Sequence, residues 1–321
     1  MPRATSRRLN LVKHWDDMAN TASPTDPLSP TRPGDGSQLE SVASAPGFTL
    51  RFWGVRGNIP APGADTVRYG GNTACVEVLV GGQRLIFDGG TGLRVLGRHL
   101  MGQAQPVAAH LFFTHTHWDR IQGFPFFTPA FAPTTCLDIY GAPALNGASI
   151  KQRLMDQMLR PNFFKPLQTM AATMTFHNIA PGESIALGDV LVEPWSLNRH
   201  TSALGYRVSW GPHVLVYATD TDPTQTSLDP NLLLLAEGAD VLIFDGTYAD
   251  ANYSDPNSAG LAPWNLGIEV ARASGVKHLV LFHHNPCHSD EQLDQLERQV
   301  QISFANARLA QEGMTVDLAA S

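Results

Sequence analysis

From Phe48 onward, short apolar runs alternate with breaks rich in Gly, Pro, Asn and Asp. Residues 76–80 and 84–87 are two such runs joined across Gly81-Gly82, a pair suited to the tight turn of a β-hairpin. Runs at 107–113, 191–194, 203–210, 214–218, 241–244 and 277–282 read as further strands. Helical spacing of apolar positions appears at 148–160, 231–237, 265–274 and 290–310. Ser289 and Gln292 stand at capping-box spacing where the last of these begins. Strands mixed first with hairpins and later with helices predict an α/β layered domain. No internal repeat is evident at the level of motifs.

Residues 1–47 have a different texture. Pro24, Pro27, Pro30, Pro33 and Pro46 lie among Ser, Thr, Gly and Asp. Such a segment buries too little apolar surface to offset its ordering entropy, so a disordered tail is expected over 1–47, with room for a short helix at 9–19. The folded domain is expected over 48–321. In a chain of 321 residues, 43% hydrophobic content is enough for one large core. A net charge of −7 argues against a broad nucleic-acid-binding face, while leaving room for local basic clusters. Cys75, Cys136 and Cys287 form no CxxC pair and are odd in number, which fits buried thiols in a reducing compartment better than a disulfide scaffold. No run is long enough to span a membrane, and Arg3, Arg7 and Arg8 precede no apolar stretch of the secretory kind. A cytoplasmic protein without a membrane partner is the expectation.

The chemistry gathers just after the apolar run that ends Leu111-Phe112-Phe113. There the chain presents His115, His117 and Asp119 in the spacing His-x-His-x-Asp. Two imidazoles and a carboxylate can turn toward one small volume and suit zinc or iron. The next position is Arg120, whose guanidinium stays protonated and has no lone pair to give a metal.

These residues resemble the metallo-β-lactamase superfamily, whose hallmark is His-x-His-x-Asp-His after a strand. The likeness is closest to a phosphodiesterase-like branch with Thr-His-Thr-His-Trp-Asp-His-Ile-Gln-Gly-Phe-Pro-Phe-Phe. The run from Thr114 to Phe127 matches that pattern everywhere except Arg120. Further matches are the run from Arg51 to Pro60, Tyr69 to Cys75, Phe87-Asp88-Gly89-Gly90-Thr91-Gly92, Tyr217-Ala218-Thr219-Asp220 and Leu281-Phe282-His283-His284-Asn285-Pro286. The resemblance covers residues 48–312. It implies a four-layer αββα sandwich: two mixed sheets packed face to face, helices outside, and a metal cleft at one sheet edge. It also assigns roles. His115 and His117 match ligands of a first metal, Asp119 and His283 those of a second, and Asp220 the carboxylate bridging both. His284 is the weaker alternative to His283. Asp88 is expected to orient a ligand histidine from behind. Asn72 belongs to a Gly-rich loop expected to flank the cleft.

Three positions depart from the family pattern. Arg120 replaces a histidine of the second metal. In Leu197-Asn198-Arg199-His200-Thr201-Ser202-Ala203-Leu204-Gly205-Tyr206-Arg207, Arg199 falls on the first metal's third histidine, and His200 can serve instead only if the loop slips by one residue. Leu261 stands where a further histidine near the cleft is usual. The expected complement is therefore at most one divalent ion (zinc, iron or manganese) held by His115, His117, His200 and Asp220, or none. Two readings follow. One is a mononuclear hydrolase acting on a phosphodiester or other ester, with Asp119 orienting the attacking water. The other is a non-catalytic binder that uses the cleft for an anion, a nucleotide or a protein. In either, carboxylates left without metal need another cation, and Arg120 or Arg199 is expected to turn inward to Asp119, Asp220 or a bound anion.

Overall fold

The computed structural model describes residues 47–103, 106–198, 202–221, 228–245 and 263–319. The expected tail up to residue 46, its helix at 9–19, and Arg199, His200 and Leu261 lie outside the described residues.

Two seven-stranded mixed sheets make the centre of the molecule. The first contains β1 (Phe48–Gly54), β2 (Cys75–Val80), β3 (Gln83–Phe87), β4 (Ala108–Phe113), β5 (Cys136–Gly141) and β6 (Thr173–Asn178) in that spatial order. The second contains β7 (Ile185–Leu187), β8 (Val190–Asn198), β9 (Ala203–Trp210), β10 (His213–Ala218), β11 (Val241–Asp245), β12 (His278–Phe282) and β13 (Ala307–Leu309), again in order. The last strand, β14 (Thr315–Asp317), returns to pair with β1 in the first sheet. Each sheet is antiparallel in one half and parallel in the other, β3 to β6 and β10 to β13 being the parallel runs.

Parallel neighbours need crossovers, and the helices supply most of them. In chain order, α1 (Thr91–Met101) links β3 to β4, α2 (Trp118–Ile121) lies between β4 and β5, and α3 (Ile150–Asp156) lies between β5 and β6. Then α4 (Pro230–Ala236), α5 (Pro263–Ala273) and α6 (Asp290–Ser303) connect β10 through β13. Phe52, Val78, Phe87 and Phe112 meet Val192, Tyr206, Leu215 and Phe282 between the sheets. On the outer faces, Leu93, Leu96 and Leu100 of α1 pack on Ile86, Leu111 and Phe113, while Leu235, Ile268 and Leu293 cover Leu242, Phe244 and Leu281. Burying a large apolar side chain fully contributes roughly 1.5–3 kcal/mol. The strands that carry the site are thus fixed from both faces.

The αββα architecture expected from the resemblance is the one found. The hairpin forms as β2 and β3, and the capping box of α6 is made in full by Ser289 and Gln292. Several bounds differ from the sequence reading. The helix expected over 290–310 stops at Ser303, and Ala307–Leu309 pairs with β12 instead. The strand expected at 191–194 runs on to Asn198 through Pro194. Proline is tolerated there because β7 pairs with β8 only as far as Val192, so that side of Pro194 needs no ladder donor. Of the three free cysteines only Cys75 is buried, since Cys136 and Cys287 are exposed. Among the described residues no helix is long and apolar enough to cross a membrane.

Candidate metal centre

The polar residues that matter converge where parallel strands of the two sheets end. Asp88 follows β3, His115 comes two residues after β4, Asp220 two after β10, Asp245 closes β11 and His283 follows β12. Asp88, Asp220 and His283 share a left-handed backbone, with φ of 59°, 59° and 62°. Side chains other than glycine adopt that region at a cost of order 1 kcal/mol, so the packed strands must impose it. The left-handed turn stops each strand and aims its last polar side chain across the gap between the sheets. Gly57 makes room for this: a Cβ there would lie 2.9 Å from the His283 ring.

At the centre is Arg120, fully buried at the end of α2. Its Nη1 donates to Asp88 Oδ2 at 2.8 Å, to the Thr219 hydroxyl at 3.1 Å and to the Tyr217 hydroxyl at 3.2 Å. Its Nη2 donates to Asp220 Oδ2 at 2.5 Å, and its Nε lies 3.3 Å from Asp119 Oδ2. One guanidinium therefore reaches three carboxylates. Asp88 is further held by the Thr114 N–H at 2.9 Å and by the Tyr217 hydroxyl at 2.9 Å.

A second knot surrounds His283. Its Nε2 is 3.1 Å from Asp119 Oδ2, and its Nδ1 is 3.6 Å from Asp245 Oδ1. The Asp245 Oδ2 accepts the backbone N–H of Asp220, while its Oδ1 is buried without a hydrogen-bond partner. Asp220, Asp245 and His283 offer ligand atoms that all lie within 4.8 Å of one another. Asp245 was not singled out from sequence. A carboxylate closing an entirely apolar strand, as Asp88 also does, is the signal that could have found it.

His115 and His117 stand apart from that knot. Their rings meet edge to face with centroids 4.3 Å apart. His115 Nδ1 is 3.0 Å from the Thr114 hydroxyl and 3.6 Å from Asp220 Oδ2. His115 Nε2 is buried without a partner.

Burial and charge set the protonation of these groups in opposite ways. Burial would raise Asp220, but Arg120 and the histidines outweigh it and bring the carboxyl down to about 2. Asp119 is likewise held below its ordinary value, its burial overcome by His283 and Arg120. Asp245 lacks a comparable cation, and burial beside Asp220 pushes it up to about 7. Burial lowers His115 to about 4, leaving a neutral imidazole with a lone pair to give. His283 goes the other way: burial and Arg120 oppose its protonation, yet Asp119, Asp245 and Asp220 prevail and raise it. Arg120 is raised far above its ordinary value by its carboxylates in spite of its burial.

Of the residues singled out from sequence, His115, Asp119, Asp220, His283, Asp88 and Arg120 come together here, with His117 beside them. His284 turns away, its Nε2 2.8 Å from the Ala310 carbonyl oxygen. Asn72 is gripped by Glu312, which takes its backbone N–H at 2.6 Å and its side-chain N–H at 2.9 Å. His200 and Arg199 lie outside the described residues.

The model of the beta-lactamase superfamily domain matches residues 83–284, well over half of the chain. The chain belongs to that superfamily. Among curated relatives, a ribonuclease Z of Brevibacillus brevis is 30% identical over 102 residues, a match spanning only 30% of either chain. A ribonuclease Z of Methanothermobacter thermautotrophicus is 23% identical over 301 residues, covering 78% of this chain and 92% of the relative. Among solved structures, a diphosphatase from the PhnP family superposes with a TM-score of 0.61 at 16% identity, over 84% of this chain and 97% of that one. Identity at that level speaks for the fold alone.

Proposed function

We propose that this superfamily member is a hydrolase-like protein working with at most one divalent ion, on a phosphodiester or related ester. The observation that carries the reading is Arg120, whose buried guanidinium contacts Asp88, Asp119 and Asp220. Two ions would need Asp220 as a shared ligand through both of its oxygens, and its Oδ2 already accepts from Arg120. Each unit of positive charge placed 4 Å from the guanidinium costs on the order of 4 kcal/mol at the effective dielectric of such sites. Charge and ligand count both weigh against a full dinuclear set. One ion asks less of the site, and since the described donors already within 4.8 Å of one another are Asp220, Asp245 and His283, His115 and His117 would have to turn toward Asp220 to hold it. His115 Nε2 is a buried, neutral donor without a partner, His117 lies against it, and Asp220 is ionised nearby. His200, outside the described residues, is the candidate fourth ligand. Zinc suits this mixture of imidazole and carboxylate. When bound, such an ion supplies Lewis acidity and makes water more acidic.

The chain's own residues then have distinct parts. His115 and His117 would hold the ion, while Arg120 keeps Asp220 ionised and fixes Asp88, whose burial raises its carboxyl in spite of the guanidinium. Asp119, fixed by His283 and by the Nε of Arg120 and held ionised, would orient the attacking water by accepting a hydrogen bond from it. The relatives named ribonuclease Z supply the substrate class. A second reading, a non-catalytic anion binder, draws on the same Arg120 contacts, since they neutralise the carboxylates without any metal.

Zinc titration separates the two. Metal-free protein is supplied with zinc while hydrolysis of bis(4-nitrophenyl) phosphate is followed. Turnover that appears and saturates at one equivalent per chain supports the mononuclear hydrolase. Turnover that requires two equivalents overturns it, and no turnover at any loading favours the binder.

A further inference from the structure

Beside the His115–His117 pair opens a cavity of about 300 Å³. One wall is the loop after β5, with Ala142, Pro143 and Leu145, and the other side is closed by Arg153 of α3. The buried side chains of α3 are Ile150 and Leu154, so the helix faces the sheet through these two and carries Arg153 past its edge to the cavity. Arg153 is only lightly engaged. Its Nε is 3.5 Å from the Thr116 hydroxyl, which ties it to the loop between the two histidines, and its Nη1 is 3.9 Å from Asp156 Oδ2. Both partners of that ion pair are more than a third exposed (37% and 41%), so the contact holds the guanidinium weakly. Arg120 is the opposite case, with its guanidinium committed to protein carboxylates and hydroxyls. Among the described residues, Arg153 is the permanently charged cation of the lining that an anion entering this cleft meets. The same lining includes His115 and His117, so an anion held by Arg153 lies beside the site proposed for the ion.

We propose that Arg153 is the anion-positioning residue of the cleft, and that the cavity takes a phosphodiester monoanion bearing an apolar or planar substituent. The inference rests on the reading of this site as an ester-binding cleft and names what selects the ester. The guanidinium fork grips the non-bridging oxygens, a geometry that lysine only approximates. The Ala142–Leu145 side receives the substituent, its apolar surface facing a cavity otherwise lined by polar groups.

The test is calorimetric titration of the full chain, zinc-supplemented, with two probes of similar shape: diphenyl phosphate, an anion, and methyl diphenyl phosphate, a neutral triester. Zinc content is measured on the same samples. Wild type is expected to bind diphenyl phosphate saturably, and Arg153→Gln roughly tenfold or more weakly, as loss of a charge-assisted hydrogen-bond pair implies. Arg153→Lys is expected to fall between them, and the neutral triester to bind wild type and Arg153→Gln alike. Arg153→Gln binding the anion within about twofold of wild type would overturn the proposal. So would absence of saturable binding to wild type, or equal loss of both probes, which would signal collapse of the pocket rather than loss of a charge contact. A zinc content of two, or of none, would sink the mononuclear reading while leaving the contrast between the two probes to decide the role of Arg153.

Discussion

At the scale of single residues, the position that matters most is Arg120, a buried cation where the resemblance would set a metal-ligating histidine. Arginine at position 120 cannot ligate, but it is long enough to reach from α2 to Asp88 and Asp220 on opposite sheets. It brings one positive charge to a place that otherwise holds ionised carboxylates in a dry interior. Removing it with the carboxylates intact leaves them uncompensated, which costs about 3–5 kcal/mol in comparable buried pairs. Arg120→Met, similar in length and without charge, is accordingly expected to lose roughly that much stability in urea unfolding with chelator present. A loss under about 1 kcal/mol would mean that the contacts are as weak as a surface pair. His115, His117 and Asp119 were legible from their His-x-His-x-Asp spacing after an apolar run, and Asp220 and His283 from the resemblance together with their place after apolar runs. The destination of the Arg120 side chain could be argued from charge balance but not its division among three acceptors, which depends on strands far apart in the chain.

At the scale of elements, legibility followed burial. β2, β3, β9, β10, β11 and β12 are covered on both faces and read as apolar runs within a residue or two of their bounds. β7, β13 and β14 are three residues each, too short to show a period, and β14 is partly exposed. The helix α1 was not read from the sequence because Gly92 and Gly97 interrupt its pattern. Gly97 is nonetheless needed where the helix passes the ring of Phe127, 3.0 Å from where a Cβ would lie. Element joints also carry charge outside the site. Asp240, just before β11, accepts the Val214 N–H at 2.7 Å and the Lys277 ammonium at 2.6 Å. Its burial is outweighed by these donors, so its carboxyl sits below the ordinary value. A carboxyl lowered in the folded state adds stability above its unfolded pKa of about 3.9 and loses it as pH falls through the folded value. Asp240→Asn is therefore expected to be less stable than wild type at pH 7, with the gap narrowing below about pH 4. A gap that is constant with pH would show that the ionised form is not what matters. Lys277 is 61% exposed, so water screens its share of the effect.

At the scale of the whole molecule, the superfamily fold supplies the frame. Two mixed sheets bring the carboxyl ends of five strands to one place, whatever stands at those ends. The fold class was legible because ordered motifs are spread along most of the chain. The charge state of the site was not, because it is the sum of groups from both sheets, with Asp245 among them. What distinguishes this chain is that a guanidinium now shares the neutralising task that the resemblance assigns to metal, which ties ion count directly to position 120. Native mass spectrometry of zinc-loaded wild type and Arg120→His tests this most directly. The account predicts no more than one zinc on wild type and one additional zinc on Arg120→His, where the new imidazole joins Asp119, Asp220 and His283. Two zinc ions on wild type at this site, or no gain in a folded Arg120→His, would contradict it.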